Sequence, residues 1–198
     1  MKRKIVIVAI LLVLVLLCLT ACNPLNETLE HINTLLKGKY VRVVLNVSTE
    51  TSQVTLNGEY IFTFVDDKTT VQYTYDQLNG LSIDGDNADS YLQTIKGSCV
   101  VHKDGTMTSD DVSVDLPLPD VGVSGLHFEK NFFNNIIVSD NAFEADVTNP
   151  KGFTGNNSLT CTNMHVVVNF SVSSLYTLVI TYVSENNANV TVSYEFSK

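Results

Sequence analysis

Asn189-Val-Thr-Val-Ser-Tyr-Glu-Phe196 alternates throughout: Val190, Val192, Tyr194 and Phe196 fall on one side, Asn189, Thr191, Ser193 and Glu195 on the other. Successive side chains of a strand point to opposite faces, so this pattern predicts a strand with one buried and one wet face. The preceding segments extend the reading. Met164, Val166, Val168 and Phe170 alternate with His165, Val167 and Asn169. Tyr176, Leu178, Ile180 and Tyr182 oppose Leu175, Val179 and Val183, which predicts a central strand covered on both faces.

Period two also governs the first half of the chain. Val41, Val43, Leu45 and Val47 share a strand face. A longer strand carries Val54, Leu56, Gly58, Tyr60, Phe62 and Phe64, and a third aligns Val71, Tyr73 and Tyr75. Connections this short require an antiparallel meander. Tyr91 to His102 and Ala142 to Val147 read as further strands, with Asp104-Gly105 as a tight hairpin turn into Thr106–Thr108.

Three stretches break the pattern. Asp76 to Asp89 contains Asn79-Gly80 and Asp84-Gly-Asp-Asn87, strong turn signals, and is expected to be a loop. Ser109 to Gly125 carries Pro117 and Pro119, and proline is excluded from central strands. A loop of that length is a functional flap or a mobile connection. In Leu126–Val138, Phe128, Phe132 and Ile136 recur every fourth residue, which favours a short helix.

Ahead of the strands, Asn23-Pro24 suits a helix start, Leu25, Leu29, Ile32 and Leu36 follow at helical spacing, and Gly38 is placed to end the helix. The predicted architecture is mainly β with an α+β character: a short N-terminal helix packed on a large curved antiparallel sheet. A half-barrel is one form of this. A β-sandwich, or another meander packed on one helix, is the rival.

The chain opens on Lys2-Arg3-Lys4 and then Ile5 to Leu17, which holds only Ile, Val, Leu and Ala. A charged head before an apolar run is the pattern of an export signal. As a helix, 5–21 would reach roughly 25 Å at ~1.5 Å per residue, slightly short of a ~30 Å hydrocarbon core. The end of the run decides between signal and span. Leu19-Thr20-Ala21-Cys22 resembles the lipobox of bacterial lipoproteins. The resemblance implies cleavage between Ala21 and Cys22, acylation of Cys22, and residues 22–198 as one extracytoplasmic domain held at the cell membrane. Two or three acyl chains, at ~0.8 kcal/mol per buried CH₂, suffice for stable anchoring.

Composition narrows the function. The formal charge is −9 over 198 residues. Removing 1–21 takes away three of twelve basic residues and none of the 21 acidic ones, leaving 177 residues at −12. That balance argues against nucleic acid, which needs a basic footprint, and against charge-driven docking on anionic lipid. Cys99 and Cys161 lie in strand-like segments; export permits a disulfide, and two buried thiols are the alternative.

Catalytic and metal chemistry find little support. Cys99 and His102, three apart on a strand, point to opposite faces. Cys161 and His165 share a face but lie ~13 Å apart. Asp84, Asp86 and Asp89 do not match a calcium loop, and neither a Gly-x-Ser-x-Gly elbow nor a phosphate-binding glycine loop is present. The expectation is a non-catalytic protein without cofactor or metal. Aromatic residues are what the chain offers instead: Tyr60, Phe62, Phe64, Tyr73, Phe128 and Phe132 form a core, some of them lining an apolar pocket beneath the 109–125 loop. Helix-then-strands behind a lipobox resembles the LolA-like and LppX/LprG-like carrier lipoproteins. That resemblance implies a curved sheet around a lipid-binding cavity, with lipid or another envelope protein as partner. A tethered protein-interaction or envelope-assembly module is the competing expectation.

Overall fold

The computed structural model describes residues 24–49, 54–65, 68–80, 90–102, 104–110 and 112–197. Helix α1 (Pro24–Leu35) leads into strands β1 (Tyr40–Thr49), β2 (Thr55–Val65), β3 (Lys68–Gly80), β4 (Ser90–Val101), β5 (Met107–Ser109) and β6 (Val112–Ser113). After two 3-10 turns (Val123–Gly125 and Lys130–Phe132) come β7 (Phe133–Ser139), β8 (Ala142–Val147), helix α2 (Pro150–Thr154), β9 (Cys161–Phe170), β10 (Leu175–Ser184) and β11 (Ala188–Phe196). The leader, Ala21 and Cys22, and the Asp84–Asp89 stretch lie outside the described residues.

All eleven strands form one antiparallel sheet in the order β6-β5-β4-β3-β2-β1-β11-β10-β9-β8-β7. Two meanders are joined where the first strand pairs with the last. This is a single unclosed sheet, not a sandwich, and only one face is covered. Register explains which face. Tyr60, Val43, Tyr194, Leu178, Val168 and Phe143 are successive cross-strand partners from β2 to β8, and all are buried. The opposite face is polar, with Arg42 bonded to Glu59 at 2.8 Å and to Glu195 at 2.6 Å.

The topology imposes a crossing. Strands β6 and β7 sit at opposite edges, so residues 114–132 must traverse the covered face. The proline-bearing loop is therefore a strap built into the core, with Leu116, Val121, Val123, Leu126 and Phe128 buried. Two phenols pin it. Tyr60 Oη donates to the Pro117 carbonyl at 2.7 Å, and Tyr194 Oη donates to the Val121 carbonyl. Burial raises both hydroxyls, Tyr60 to about 12, so they remain donors at neutral pH. Farther on, Gly125 passes so close to α2 that a Cβ there would lie 2.4 Å from the Thr154 carbonyl oxygen.

Helix α1 buries Leu29 and Ile32 in the core. Its Asn33 brackets the strap, with Nδ2 donating to the Phe128 carbonyl at 2.9 Å and Oδ1 accepting from the Phe128 amide at 2.8 Å.

Several expectations are corrected. Leu126–Val138 is a 3-10 turn followed by edge strand β7, because the ladder to β8 satisfies backbone groups that a short Asn-rich helix would leave open. Asn135 takes φ 48° beside a register shift, which ends any helical repeat. Strand β3 runs through Asn79 and Gly80, which pair with Tyr91 and Ser90. Strand β10 is interior to the sheet but covered on one face only. A register shift next to Thr177 turns both Leu175 and Leu178 inward and leaves Tyr176 exposed. Cys99 and Cys161 are free thiols on β4 and β9, with five strands between them in the sheet order, so the bridge is not formed.

Candidate functional site

The sheet forks. The β2–β3 ladder stops at Gly58–Tyr75, whereas β1–β2 continues to Ser48–Thr55 and β3–β4 to Gly80–Ser90. Above Gly58, the β3–β4 hairpin separates from β2 as a wing. A cleft of about 450 Å³ occupies the fork. Leu56 of β2 and Tyr75 to Leu78 of β3 line it from the sheet, and Asp115-Leu116-Pro117 of the strap lines it from above.

Each wall has a local cause. Tyr60, just below, holds Pro117 in place through its hydroxyl. Tyr73 lies over β4 where Gly97 leaves room; a Cβ at residue 97 would meet the Tyr73 hydroxyl at 2.4 Å. The Tyr73 and Tyr75 rings sit 5.9 Å apart, tilted 36°. The two limbs of the fork are tied by Asp76. Its Oδ2 accepts from the Asn57 amide at 3.1 Å and from Asn57 Nδ2 at 3.0 Å, and its Oδ1 accepts from Thr94 Oγ1 at 2.8 Å.

Those hydrogen bonds, from Asn57 first and then Thr94, hold the Asp76 carboxyl below the usual carboxylate range. A depressed folded pKa stabilises the fold above the unfolded value and loses that contribution as pH falls through the folded value. The Asn57 side-chain amide resonances are therefore expected to titrate with a midpoint below 3.8, the ordinary value for this group. A midpoint at or above it, followed by NMR, would mean the tie is not made.

The six aromatic residues expected to line a pocket are dispersed. Tyr60 and Tyr73 adjoin the fork. Phe62 packs against Tyr40 at 5.0 Å, and Phe64 lies under Lys39 Nζ at 4.7 Å. Phe128 belongs to a separate cluster with Phe133, Phe143 and Phe153, and Phe132 sits at that cluster's rim against His127 and Phe133. Leu56, Tyr75 and Leu116 take the lining places instead. No local pattern marks them, because the cleft exists where a ladder ends.

A larger groove, about 700 Å³, lies between α1 and residues 127–131. Its apolar floor, Leu29 and Phe128, is sealed at 3% and 2% exposure, and its walls carry Glu30, Glu129 and Lys130. His165 Nδ1 lies 2.8 Å from Asp146 Oδ1, and His102 Nε2 lies 2.8 Å from Thr108 Oγ1. Among the described residues, no group of three or more His, Cys, Asp or Glu side chains is placed to hold a metal ion. Also among them, no helix is long and apolar enough to cross a membrane. No protein-family profile matches the chain, and no curated protein matches it.

Proposed function

We propose that the protein is a bacterial lipoprotein, anchored through acylated Cys22 at the extracytoplasmic face of the cell membrane, that binds an apolar ligand such as lipid in the fork between β2 and β3. The observation that carries the ligand reading is the cleft itself. Its volume falls within the ~300–1,000 Å³ of small-molecule sites, and Leu56, Tyr75, Leu116 and Pro117 give it apolar walls. Support for the anchor comes from the leader and its Leu19-Thr20-Ala21-Cys22 box. The binding is non-catalytic.

Helix α1 ends beside Phe196 and Lys39 lies over Phe64, so the C-terminal end of the helix lies near the start of β3. The thirteen residues of β3 span about 40 Å at ~3.3 Å each. The cleft therefore lies toward the end of the sheet remote from the C-terminal end of α1. Cys22→Ser is expected to move the protein from the membrane to the soluble fraction, and solvent extraction of the wild type is expected to release a non-covalently held apolar molecule. Membrane retention of Cys22→Ser would sink the anchor.

A second reading, a tethered protein-interaction module, is favoured by the wing. Leu78 and Leu92 face each other across it at 46% and 50% exposure, beside Tyr91 at 47%. Crosslinking through the wing that captures one partner stoichiometrically, with no extracted ligand, would support it over the carrier.

A further inference from the structure

The sheet has two ends, and the path of α1 assigns one of them to the membrane, an inference that rests on the Cys22 anchor proposed above. At that end β9 turns into β10 through residues 171–174, β2 meets β3 at Val65 and Lys68, and β11 finishes at Phe196. Helix α1 is held there at two points. His31 Nε2 lies 2.9 Å from the Ser171 carbonyl oxygen and its ring stands edge-on to Phe170, while Gly38, just past the helix, lies against Phe196. From His31 back to Pro24 the helix rises about 10 Å at ~1.5 Å per residue. From Pro24 to Cys22 the chain reaches at most about 7 Å. The ten residues of β9 span about 33 Å at ~3.3 Å each. Cys22 is therefore held at the 171–174 end, not the far one.

The turns at this end present apolar side chains that the core does not use. Val172 is 93% exposed, Val65 60% and Tyr176 42%. The turn behind Val172 is fixed by its own bonds: the Ser171 amide donates to the Ser174 carbonyl at 2.8 Å, and Ser171 Oγ accepts the Ser174 amide at 3.1 Å. A single exposed valine is ordinary; one carried at the tip of a bonded turn, within reach of an acyl anchor, has the lipid interface as its nearest apolar partner.

Charge separates this end from the other exposed apolar group, Leu78, Tyr91 and Leu92 on the wing. Between the wing strands the sequence holds Asp84, Asp86 and Asp89 and no base, a balance that an anionic leaflet repels. At the α1 end, exposed Lys37, Lys39 and Lys68 offset most of the acids around them, Glu27 and Glu30 of α1 and Asp66-Asp67 in the sequence before β3. Lysine stems also cover apolar surface while their heads stay in water.

We propose that this end of the sheet docks on the bilayer that holds Cys22: Val172, Val65 and Tyr176 enter the lipid interface, and the wing and its cleft point away from it.

The chain contains no tryptophan, so a single one reports its own surroundings. The acylated full chain carrying Val172→Trp, Val65→Trp or Leu92→Trp is reconstituted with phosphatidylcholine vesicles, with and without brominated acyl chains. All three sites are exposed, so the core is left intact. Val172→Trp and Val65→Trp are expected to show blue-shifted emission that the brominated lipid quenches, and Leu92→Trp to emit as in water and stay unquenched. Vesicle-bound protein with Val172→Trp unquenched, or with Leu92→Trp quenched as strongly, would overturn the proposal and leave the anchor standing. Failure of the acylated chain to sediment with the vesicles would overturn both.

Discussion

Phe153→Ala is expected to lower the unfolding free energy by about 3–5 kcal/mol, the range for truncating a buried phenylalanine. Phe153 is fully buried. Its ring stands edge-on to Phe128 at 5.1 Å and to Phe133 at 5.4 Å, and both of those contact Phe143. These four rings come from the strap, β7, β8 and α2, so one truncation loosens every element that closes the β7–β9 side of the sheet. Backbone bonds give no relief. The Phe153 carbonyl accepts the His127 amide at 2.9 Å, which keeps the strap in place and prevents collapse into the void. Against a typical total of ~5–15 kcal/mol, such a loss is a large fraction. Urea unfolding checks it: the midpoint should fall with an unchanged slope. A loss under about 1 kcal/mol would mean that the cluster repacks without cost, contrary to the cavity penalty for such sites.

The second large effect concerns the strap. Tyr194→Phe removes the buried hydroxyl that donates to the Val121 carbonyl while keeping the ring, so it leaves that acceptor without its phenol. An unsatisfied buried acceptor costs about 1–3 kcal/mol. Tyr60→Phe frees Pro117 in the same way, but closer to the cleft. The two variants are expected to differ in readout. Tyr194→Phe should chiefly reduce stability, whereas Tyr60→Phe should also raise hydrogen exchange at Leu116 and Leu118, next to the released carbonyl. Equal exchange in the two variants would show that the strap moves as one rigid piece.

These residues also show how far the sequence reads. Alternation in β9 and β11 identified the inward residues because a period of two ties each side chain to a face whatever its neighbours are. The leucines and isoleucine of α1 were legible for the same reason at helical spacing. Where local signals met long-range pairing, pairing prevailed. Asn79-Gly80 has turn chemistry, yet cross-strand bonds to Tyr91 and Ser90 carry the hairpin past it. Phe128, Phe132 and Ile136 have helical spacing, yet β8 supplies a ladder for Phe133 onward.

The cleft was illegible for a different reason. It depends on the β2–β3 ladder stopping at Gly58–Tyr75 and on a strap fixed by Tyr60 from 57 residues away, by Tyr194 from 73 and by Asn33 from 95. No sequence window contains those relations. The proline-rich run from Leu116 to Pro119 was a visible sign of extended backbone. What it could not reveal is that the two sheet edges lie on either side of it, which makes it a crossing strap.

The most direct measurement is mass spectrometry of molecules extracted without hydrolysis from the purified full chain, comparing wild type with Leu56→Glu. Leu56 is half-buried and lines the fork, so a charge there spoils the apolar wall with little disturbance to the core. If the fork is the binding site, the wild type should yield one apolar species in near-stoichiometric amount, and Leu56→Glu, folded by circular dichroism, should yield little or none. The same species recovered equally from both proteins, or none from the wild type, would show that the fork is not where a ligand is held.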